Sequence, residues 1–202
     1  MPFGIDDISF YTANFSLDLQ ELAANNGSDA AKYTVGIGQE RMSVPGEDED
    51  IVTMAANASL PLLEGMKARG ESPDAITTLL FATATGIDQS KAAGVYLHSL
   101  LGLSPRCRVV ELKQACYSGT AALQLATAWV ARKPEEKVLV IASDIARYER
   151  QTPGEATQGC GAVAMIVSSN PRIIELDPET GIHTEDVMDF WRPNYRSTAL
   201  VD

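Results

Sequence analysis

Cys116 is the residue of this sequence best placed to act as a nucleophile. It lies in the stretch "ELKQACYSGTAALQLA", residues 111–126, after a strand-like run and just before an apolar helical pattern. The first N–H groups of a helix and the positive end of its dipole stabilise a thiolate. The same N–H groups can hold a thioester oxygen during acyl transfer. The spacing therefore indicates an acyl-transfer nucleophile, and the alternative is an ordinary buried cysteine, the commoner fate of this residue type.

The other cysteines and the two histidines stand in less favourable settings. Cys107 begins a strand and Cys160 lies in the glycine-rich "QGCGAVA", so we interpret both as structural. His98 falls on a helix face and His183 in an irregular tail. His, Cys, Asp and Glu nowhere show the spacing of a metal site, and the glycine-rich runs do not follow a strand and open a helix as a dinucleotide-binding loop does. The sequence predicts neither a metal nor a bound cofactor.

The composition favours a globular, cytoplasmic protein. Of the 202 residues, 45% are hydrophobic and 21% are charged, which is enough for a sizeable core. The formal charge of −11 would repel a phosphate backbone, so we expect no nucleic-acid partner. The N-terminus lacks the basic region of a signal peptide, and the apolar runs are far shorter than the roughly 18–20 residues that span a membrane. Three cysteines without regular spacing do not indicate a disulfide framework, which fits a reducing compartment.

Strand-like and helix-like segments alternate along the chain. Apolar runs such as "AITTLLFAT" and "KVLVIASD" indicate strands covered on both faces. Helical patterns lie between them, including "SLDLQELAANNG", opened by Ser16 and closed by Gly27, and "DQSKAAGVYLHSLLG", started by Asp88. This alternation predicts an α/β fold with a mainly parallel or mixed sheet. The small residues that follow Cys116 predict that the nucleophile helix is buried.

The hydrophobic periodicity of the sequence becomes weak from residue 177 onward. We predict one α/β half-domain over residues 1–176 and an irregular tail over residues 177–202 that leads into a missing half. The tail holds Phe190, Trp191 and Tyr195, and aromatic side chains of this kind usually pack on another part of a protein. Because the chain stops soon after them, we expect a carboxy-terminal half to lie beyond it.

Six motifs in one order resemble a single enzyme family. They are "KYTVGIGQE", "GIDQSKAAGVYLHSLLGL", "ELKQACYSGTAALQ", "KVLVIASDIARY", "TPGEATQGCGAVAMIVS" and "DFWRP". From about Gly4 to Asp202 the sequence is similar to the amino-terminal half of bacterial 3-hydroxy-3-methylglutaryl-CoA (HMG-CoA) synthases. The resemblance implies a thiolase-like fold of layered α/β/α architecture, of which this chain is the amino-terminal half, and assembly as a homodimer.

The resemblance also implies a mechanism and a set of site residues. In the family, acetyl-CoA acylates a cysteine, a base removes a proton from the acetyl methyl group, and the carbanion attacks the ketone of acetoacetyl-CoA. Cys116 matches the acetyl-carrying cysteine. Asp29 and Ala30 match residues that line the CoA site, Thr157 matches a substrate-contacting threonine, and Tyr148 falls near the acyl pocket. Read without the family, Asp29 is equally a helix cap, and Thr157 and Tyr148 are packing residues.

Two departures from the family pattern bear on activity. Ala84, in "FATATGID", occupies the position of the glutamate that serves as general acid/base, and both natural loss and an engineered substitution account for it. Asp88 and Glu155 are near in sequence, but nothing in the sequence brings either to the site. In the family, the histidine, asparagine and serine contacts all match positions beyond Asp202. The resemblance therefore implies that the active site is completed by a second polypeptide or is absent, and the chain is either half of a split enzyme or a fragment of a longer one.

Three functions remain open. The first is an HMG-CoA synthase-type acyltransferase of the mevalonate pathway to isoprenoids, which uses coenzyme A thioesters as substrates and is impaired here by Ala84. The second is a polyketide-pathway homologue that acts on thioesters of a carrier protein. The third is a non-catalytic partner subunit of a split synthase, in which Cys116 is a relic.

Overall fold

The computed structural model describes residues 2–201, which form two compact units. The first unit comprises the chain up to Tyr11, Glu49–Asp144 and Gly161–Glu179. The second comprises Thr12–Asp48, Ile145–Cys160 and the chain from Thr180 onward. The strands are β1 (Phe3–Thr12), β2 (Phe15–Asp18), β3 (Arg41–Val44), β4 (Ile76–Ala82), β5 (Arg108–Leu112), β6 (Lys137–Ala146), β7 (Gly159–Ser169), β8 (Ile174–Glu175), β9 (Phe190–Trp191) and β10 (Leu200–Val201). The α-helices are α1 (Leu19–Asn26), α2 (Ile51–Ala68), α3 (Ala93–Leu100) and α4 (Ser118–Arg132).

The first unit is built on a six-stranded sheet in the order β5-β4-β6-β7-β1-β8. Strand β4 pairs in parallel with both β5 and β6, whereas β8 pairs antiparallel to β1. Ala82, the last residue of β4, is opposite Leu112 of β5 and Ala142 of β6. The sheet is therefore mixed. Strands β4 and β5 end side by side, next to Ala142 of β6, which continues to Ala146.

Helices cover both faces of this sheet. Crossover connections between parallel strands are right-handed, so two crossovers that run in opposite directions place their helices on opposite faces. The chain moves outward from β4 to the edge strand β5 through α3, and then back past β4 to β6 through α4. Leu80 and Ala82 share a buried cluster with Ala122 and Ala126 of α4. On the other face, Gly94 of α3 lies against the side chains of Leu79, Phe81 and Val109. The predicted α/β layering is confirmed.

The second unit packs a pair of antiparallel strands against a short helix. Strands β2 and β3 are antiparallel, with Leu17 opposite Met42. A separate buried cluster joins Leu19 and Leu22 of α1 to Met42 and Ala156. Strands β9 and β10 form a two-stranded sheet in the tail region. Of the aromatic residues predicted to pack, Phe190 contacts the ring of Tyr148, with centroids 6.2 Å apart, whereas Tyr195 is exposed.

Two predicted helix starts were wrong. Ser16 lies in β2 opposite Ser43, and α1 begins at Leu19 after Asp18, whose side chain accepts the N–H of Gln20. Pairing with a distant strand thus overrides a local capping signal. Asp88 does not begin α3 either, since its carboxylate accepts the N–H groups of Ser90 and Lys91 in a separate turn. Gly27 does end α1, in the left-handed conformation.

Candidate acyl-transfer site

The candidate site in the first unit lies where β4 and β5 end beside β6. The chain after β4 carries Ala84, the chain after β5 carries Cys116, and Asp144 lies two residues before the end of β6. The Thr83 N–H donates to the carbonyl of Leu112 at 3.2 Å, which ties the first two segments together. The carboxyl ends of parallel strands are where α/β proteins usually place their ligands. The fold thus brings two of the predicted site positions to a common edge.

Cys116 presents an exposed thiol two residues before α4 begins. Within the part of the chain that the structure describes, no side chain caps this end of α4. The residue before the cysteine, Ala115, has a φ of 42°, in the left-handed region that non-glycine residues rarely adopt. Such outliers concentrate at functional sites, where the surrounding structure holds them in place.

Hydrogen bonds to the backbone fix the turn around Cys116. The carbonyl of Ala115 accepts from both the backbone N–H of Ser118, at 3.3 Å, and its hydroxyl, at 2.8 Å. The N–H of Tyr117 donates to the carbonyl of Gln114 at 3.0 Å. Ser118 itself is buried. The thiol is therefore carried on a constrained turn and not on a free loop.

The helix that follows Cys116 is buried along one face. Its buried residues are Ser118, Ala122, Ala126 and Val130, at the spacing of one helical stripe. The opposite side includes Leu125, whose surface is 43% exposed. The prediction that the helix after Cys116 is buried is therefore confirmed for the face of α4 that lies on the sheet.

The turn at Ala84 is organised by Asp144, a residue that the sequence reasoning passed over. Atom Oδ1 of Asp144 accepts four hydrogen bonds from residues 83–85, at 2.8–2.9 Å. The only signal in the sequence was an acidic residue at the end of an apolar strand, in "KVLVIASD". The side chain at position 84 is a half-buried methyl group.

Asp29 and Ala30 lie in the second unit, at the start of a π-helical turn over Lys32–Gly36. The Asp29 carboxylate accepts the N–H of Ala31 at 2.9 Å, immediately before this turn. The carbonyl of Ala30 accepts from the backbone and the hydroxyl of Thr34. Asp29 is exposed, which leaves its carboxylate accessible as well.

Tyr148 and Thr157 also belong to the second unit. Gly154 allows the Tyr148 ring to approach closely, because a Cβ at position 154 would lie 3.0 Å from two ring atoms. The Thr157 hydroxyl donates to the carbonyl of Gly154 at 2.8 Å and the residue is exposed. Tyr148 lines a cavity of about 920 Å³ within this unit, together with Arg147 and Glu155.

Glu155 is a buried carboxylate that the sequence could not place. Its Oε2 accepts from the Asn26 side chain and from the Gln151 N–H, both at 2.8 Å. These bonds join the short helical turn at Glu155 to α1. Glu155 therefore has a structural role in the second unit.

The two remaining cysteines and His98 occupy structural positions, whereas His183 is exposed. Burial raises the pKa of the Cys107 thiol to about 11, against a smaller opposing effect of Arg108. The backbone of Cys160 exchanges hydrogen bonds with the Ser43 hydroxyl. His98 contacts the carbonyl of Ser104 at 2.9 Å. Over residues 2–201 no cluster of His, Cys, Asp and Glu is arranged to hold a metal, and no helix has the length and hydrophobicity to cross a bilayer.

The sequence and the fold match one family. The model of the family described as "Hydroxymethylglutaryl-coenzyme A synthase N terminal" matches residues 2–172. A hydroxymethylglutaryl-CoA synthase of Enterococcus faecalis is 46% identical over 202 residues, which is 100% of this chain and 51% of the relative. A crystal structure of an HMG-CoA synthase complexed with CoA superimposes with a TM-score of 0.93 at 44% identity, over 100% of this chain and 51% of that one.

Relatives from polyketide pathways match less closely. The polyketide biosynthesis 3-hydroxy-3-methylglutaryl-ACP synthase PksG of Bacillus subtilis is 35% identical over 94% of this chain and 48% of its own length. The HMG synthase of the curacin pathway, in complex with a holo donor-ACP, has a TM-score of 0.92 at 34% identity, over 100% of this chain and 50% of that one. This chain thus spans about half the length of the relatives that it matches. It has the thiolase-like α/β fold of these structures, and it belongs to the hydroxymethylglutaryl-CoA synthase family, whose amino-terminal half it matches.

Proposed function

We propose that this chain supplies the acetyl-carrying nucleophile of an HMG-CoA synthase. The thiolate of Cys116 attacks the carbonyl carbon of acetyl-CoA, a new C–S bond forms, and the C–S bond to coenzyme A breaks. Coenzyme A leaves as a thiolate that takes up a proton. The observation that carries this proposal is the exposed thiol on a constrained turn at the open N-terminus of α4.

The condensation with acetoacetyl-CoA is impaired at Ala84. The family resemblance assigns the general acid/base to this position, and a methyl group cannot transfer a proton. Acid–base assistance contributes roughly 10²–10⁴-fold in rate. We therefore expect acetylation of Cys116 to survive while carbon–carbon bond formation is slowed by about this factor.

In this proposal the carboxy-terminal half of the family's fold completes the site, either as a second polypeptide or as a continuation of this chain, and the assembled fold is a cytoplasmic homodimer. The chain spans about half the length of its relatives, which supports the need for this second half. The proposed substrate contacts are Asp29, Ala30, Tyr148 and Thr157. The exposed positions of Asp29 and Thr157 are compatible with this assignment.

Two other functions are kept as alternatives. The similarity to PksG favours a synthase that takes its acyl group from a carrier protein, although the identity of 35% is lower than the 46% to the enterococcal HMG-CoA synthase. The alanine at position 84 favours a non-catalytic partner subunit. We place both below the CoA-dependent acyltransferase.

Mass spectrometry of the acetylated protein tests the proposal. The chain is incubated with acetyl-CoA or with an acetyl-carrier protein, with and without a separately produced carboxy-terminal half, and digested. We expect one acetyl group on the peptide that contains Cys116, absent in Cys116→Ser and retained in Cys107→Ser and Cys160→Ser. Faster labelling by the carrier protein would favour the polyketide function. Absence of label from both donors, with the carboxy-terminal half present, would leave the non-catalytic subunit.

A further inference from the structure

Six charged side chains of the first unit form a closed ring of ion pairs. The ring lies at the start of β6, whereas the candidate acyl-transfer site lies near the end of that strand. Acidic and basic residues alternate around it, and each one contacts two neighbours. We call this set the charge ring; its members, in the order of their contacts, are Asp6, Lys137, Glu71, Arg69, Asp7 and Arg172.

Glu71 receives a cation on each of its carboxylate oxygens. Nε of Arg69 donates to Oε1 of Glu71 at 2.8 Å. Nζ of Lys137 lies 2.9 Å from Oε2 of Glu71 without hydrogen-bond geometry, so this contact is purely ionic. The same Nζ donates to Oδ2 of Asp6 at 3.0 Å. Glu71 therefore links two basic residues that have their other partners in β1.

Arg172 closes the ring on the side of β1. Its Nε donates to Oδ1 of Asp6 at 2.8 Å, and its Nη2 donates to Oδ2 of Asp7 at 3.2 Å. Oδ2 of Asp7 also accepts from Nη1 of Arg69, at 3.1 Å. Both aspartates are thus held from two sides.

The charge ring joins four segments that are remote in sequence. It takes two residues from β1, two from the turn after α2, the first residue of β6, and one from the connection between β7 and β8. Strand β7 separates β6 from β1 in the sheet, so the ring reaches across it. On the outer side of β1, the N–H groups of Ile173 and Leu176 donate to the carbonyls of Ile5 and Phe3. The ring therefore connects the edge strand β8 to the centre of the sheet.

Burial makes the members of the ring depend on one another. The side chain of Asp6 is 5% exposed and that of Arg172 is 45% exposed. An exposed ion pair by itself contributes little to stability, but a buried carboxylate that loses its cation is strongly destabilising. Hydrogen-bonded networks of this kind also strengthen their own members. A break at one contact should therefore weaken the contacts farther around the ring.

We propose that the charge ring is a conformational clasp, which fastens β8 and β1 to the centre of the sheet and opens as one cooperative unit. In the described part of the chain, Glu71 forms ion pairs with Arg69 and Lys137 and with no residue of β1 or β8. If the six contacts acted independently, a substitution at Glu71 would leave β8 unaffected. The inference does not depend on acetylation of Cys116.

Hydrogen exchange followed by mass spectrometry tests the clasp on the peptide that spans residues 171–178. In Arg172→Gln we expect this peptide to exchange at least about tenfold faster, because two charge-assisted hydrogen bonds are lost. In Glu71→Gln we expect at least about a threefold increase, although the substitution lies on the far side of the ring. The matched control is Glu136→Gln, since Glu136 pairs with Lys133 at 2.7 Å outside the ring. It should leave the exchange of this peptide unchanged.

Three results would overturn the inference. They are unchanged exchange in Arg172→Gln, unchanged exchange in Glu71→Gln, and an equal increase in Glu136→Gln, which would indicate a general loss of stability. If Glu71→Gln does not fold, Glu71→Asp gives the same readout, because the shorter side chain cannot keep both Arg69 and Lys137 at their present distances.

A double-mutant cycle between Glu71→Gln and Arg172→Gln gives a second test. We expect the unfolding constant of the double variant, from urea unfolding, to differ by at least about threefold from the product of the two single effects. Additive effects would contradict a cooperative ring. The cycle is repeated at about 1 M NaCl, where direct attraction between separated charges is screened within about 3 Å. A coupling that vanishes there would be a long-range attraction and would equally overturn the clasp.

Discussion

The left-handed conformation of Ala115 gives a prediction about the turn that carries Cys116. At a φ of 42° the methyl group of Ala115 crowds the backbone, at a cost of about 1–2 kcal/mol. Ala115→Gly removes this cost, but glycine also stabilises the unfolded state by about 0.5–1 kcal/mol, because its backbone has more conformational freedom there. We therefore expect the free energy of unfolding to be unchanged or to rise by up to about 1 kcal/mol. Ala115→Val places a β-branched side chain in a region that such residues essentially avoid. We expect Ala115→Val to lower the free energy of unfolding by about 2–3 kcal/mol.

Urea unfolding and alkylation of Cys116 measure the two consequences. The matched control is Ala128→Val, the same chemical change at an exposed position inside α4, where valine costs about 0.5 kcal/mol. The two hydrogen bonds from Ser118 to the carbonyl of Ala115 connect the strained residue to the start of α4. We therefore expect Ala115→Val to change the rate of iodoacetamide alkylation at Cys116, and Ala128→Val to leave it unaltered. If both variants lose the same stability, the reasoning about a strained turn is wrong.

Two further predictions concern the first unit. Burial raises the pKa of Asp6, but hydrogen bonds from Arg172 and Lys137 outweigh this effect and hold the pKa below its usual range. Asp6→Asn should therefore cost about 2 kcal/mol at about pH 7, and the difference from the parent should vanish in urea unfolding as the pH falls through the lowered pKa, below about pH 4. A difference that does not decrease as the pH falls below about 4 would contradict this. Gly94→Ala should lose about 1–3 kcal/mol, since its Cβ would lie 2.8–3.1 Å from three side-chain atoms, whereas Gly119→Ala, with its nearest neighbour at 3.8 Å, should be tolerated. Equal urea unfolding midpoints for Gly94→Ala and Gly119→Ala would refute the packing argument.

Local pattern was sufficient to predict most of the first unit. The runs "AITTLLFAT" and "KVLVIASD" became β4 and β6, because long apolar runs are stable only when covered on both faces. The helix after Cys116 was predicted from its periodicity and is α4. In these segments the local preference and the tertiary environment agree.

Prediction failed where a distant partner decided the structure. "SLDL" has a helical start signal at Ser16, but pairing of β2 with β3 makes it a strand. Asp88 has the right residue type for a cap and caps a different turn. The buried Glu155 was also missed, because its partner Asn26 is remote in sequence. The π-helical turn over Lys32–Gly36 was missed as well, although its hydrogen bonds are local.

The sequence by itself determined that the chain is an α/β protein of the HMG-CoA synthase family and that Cys116 stands before a helix. Only the tertiary structure decided what surrounds that cysteine. The left-handed turn at Ala115 and the four donors on Asp144 join residues that are remote in sequence or depend on backbone angles that no residue type dictates. Periodicity is a local property of the chain, whereas a site at the ends of parallel strands exists only after those strands have paired.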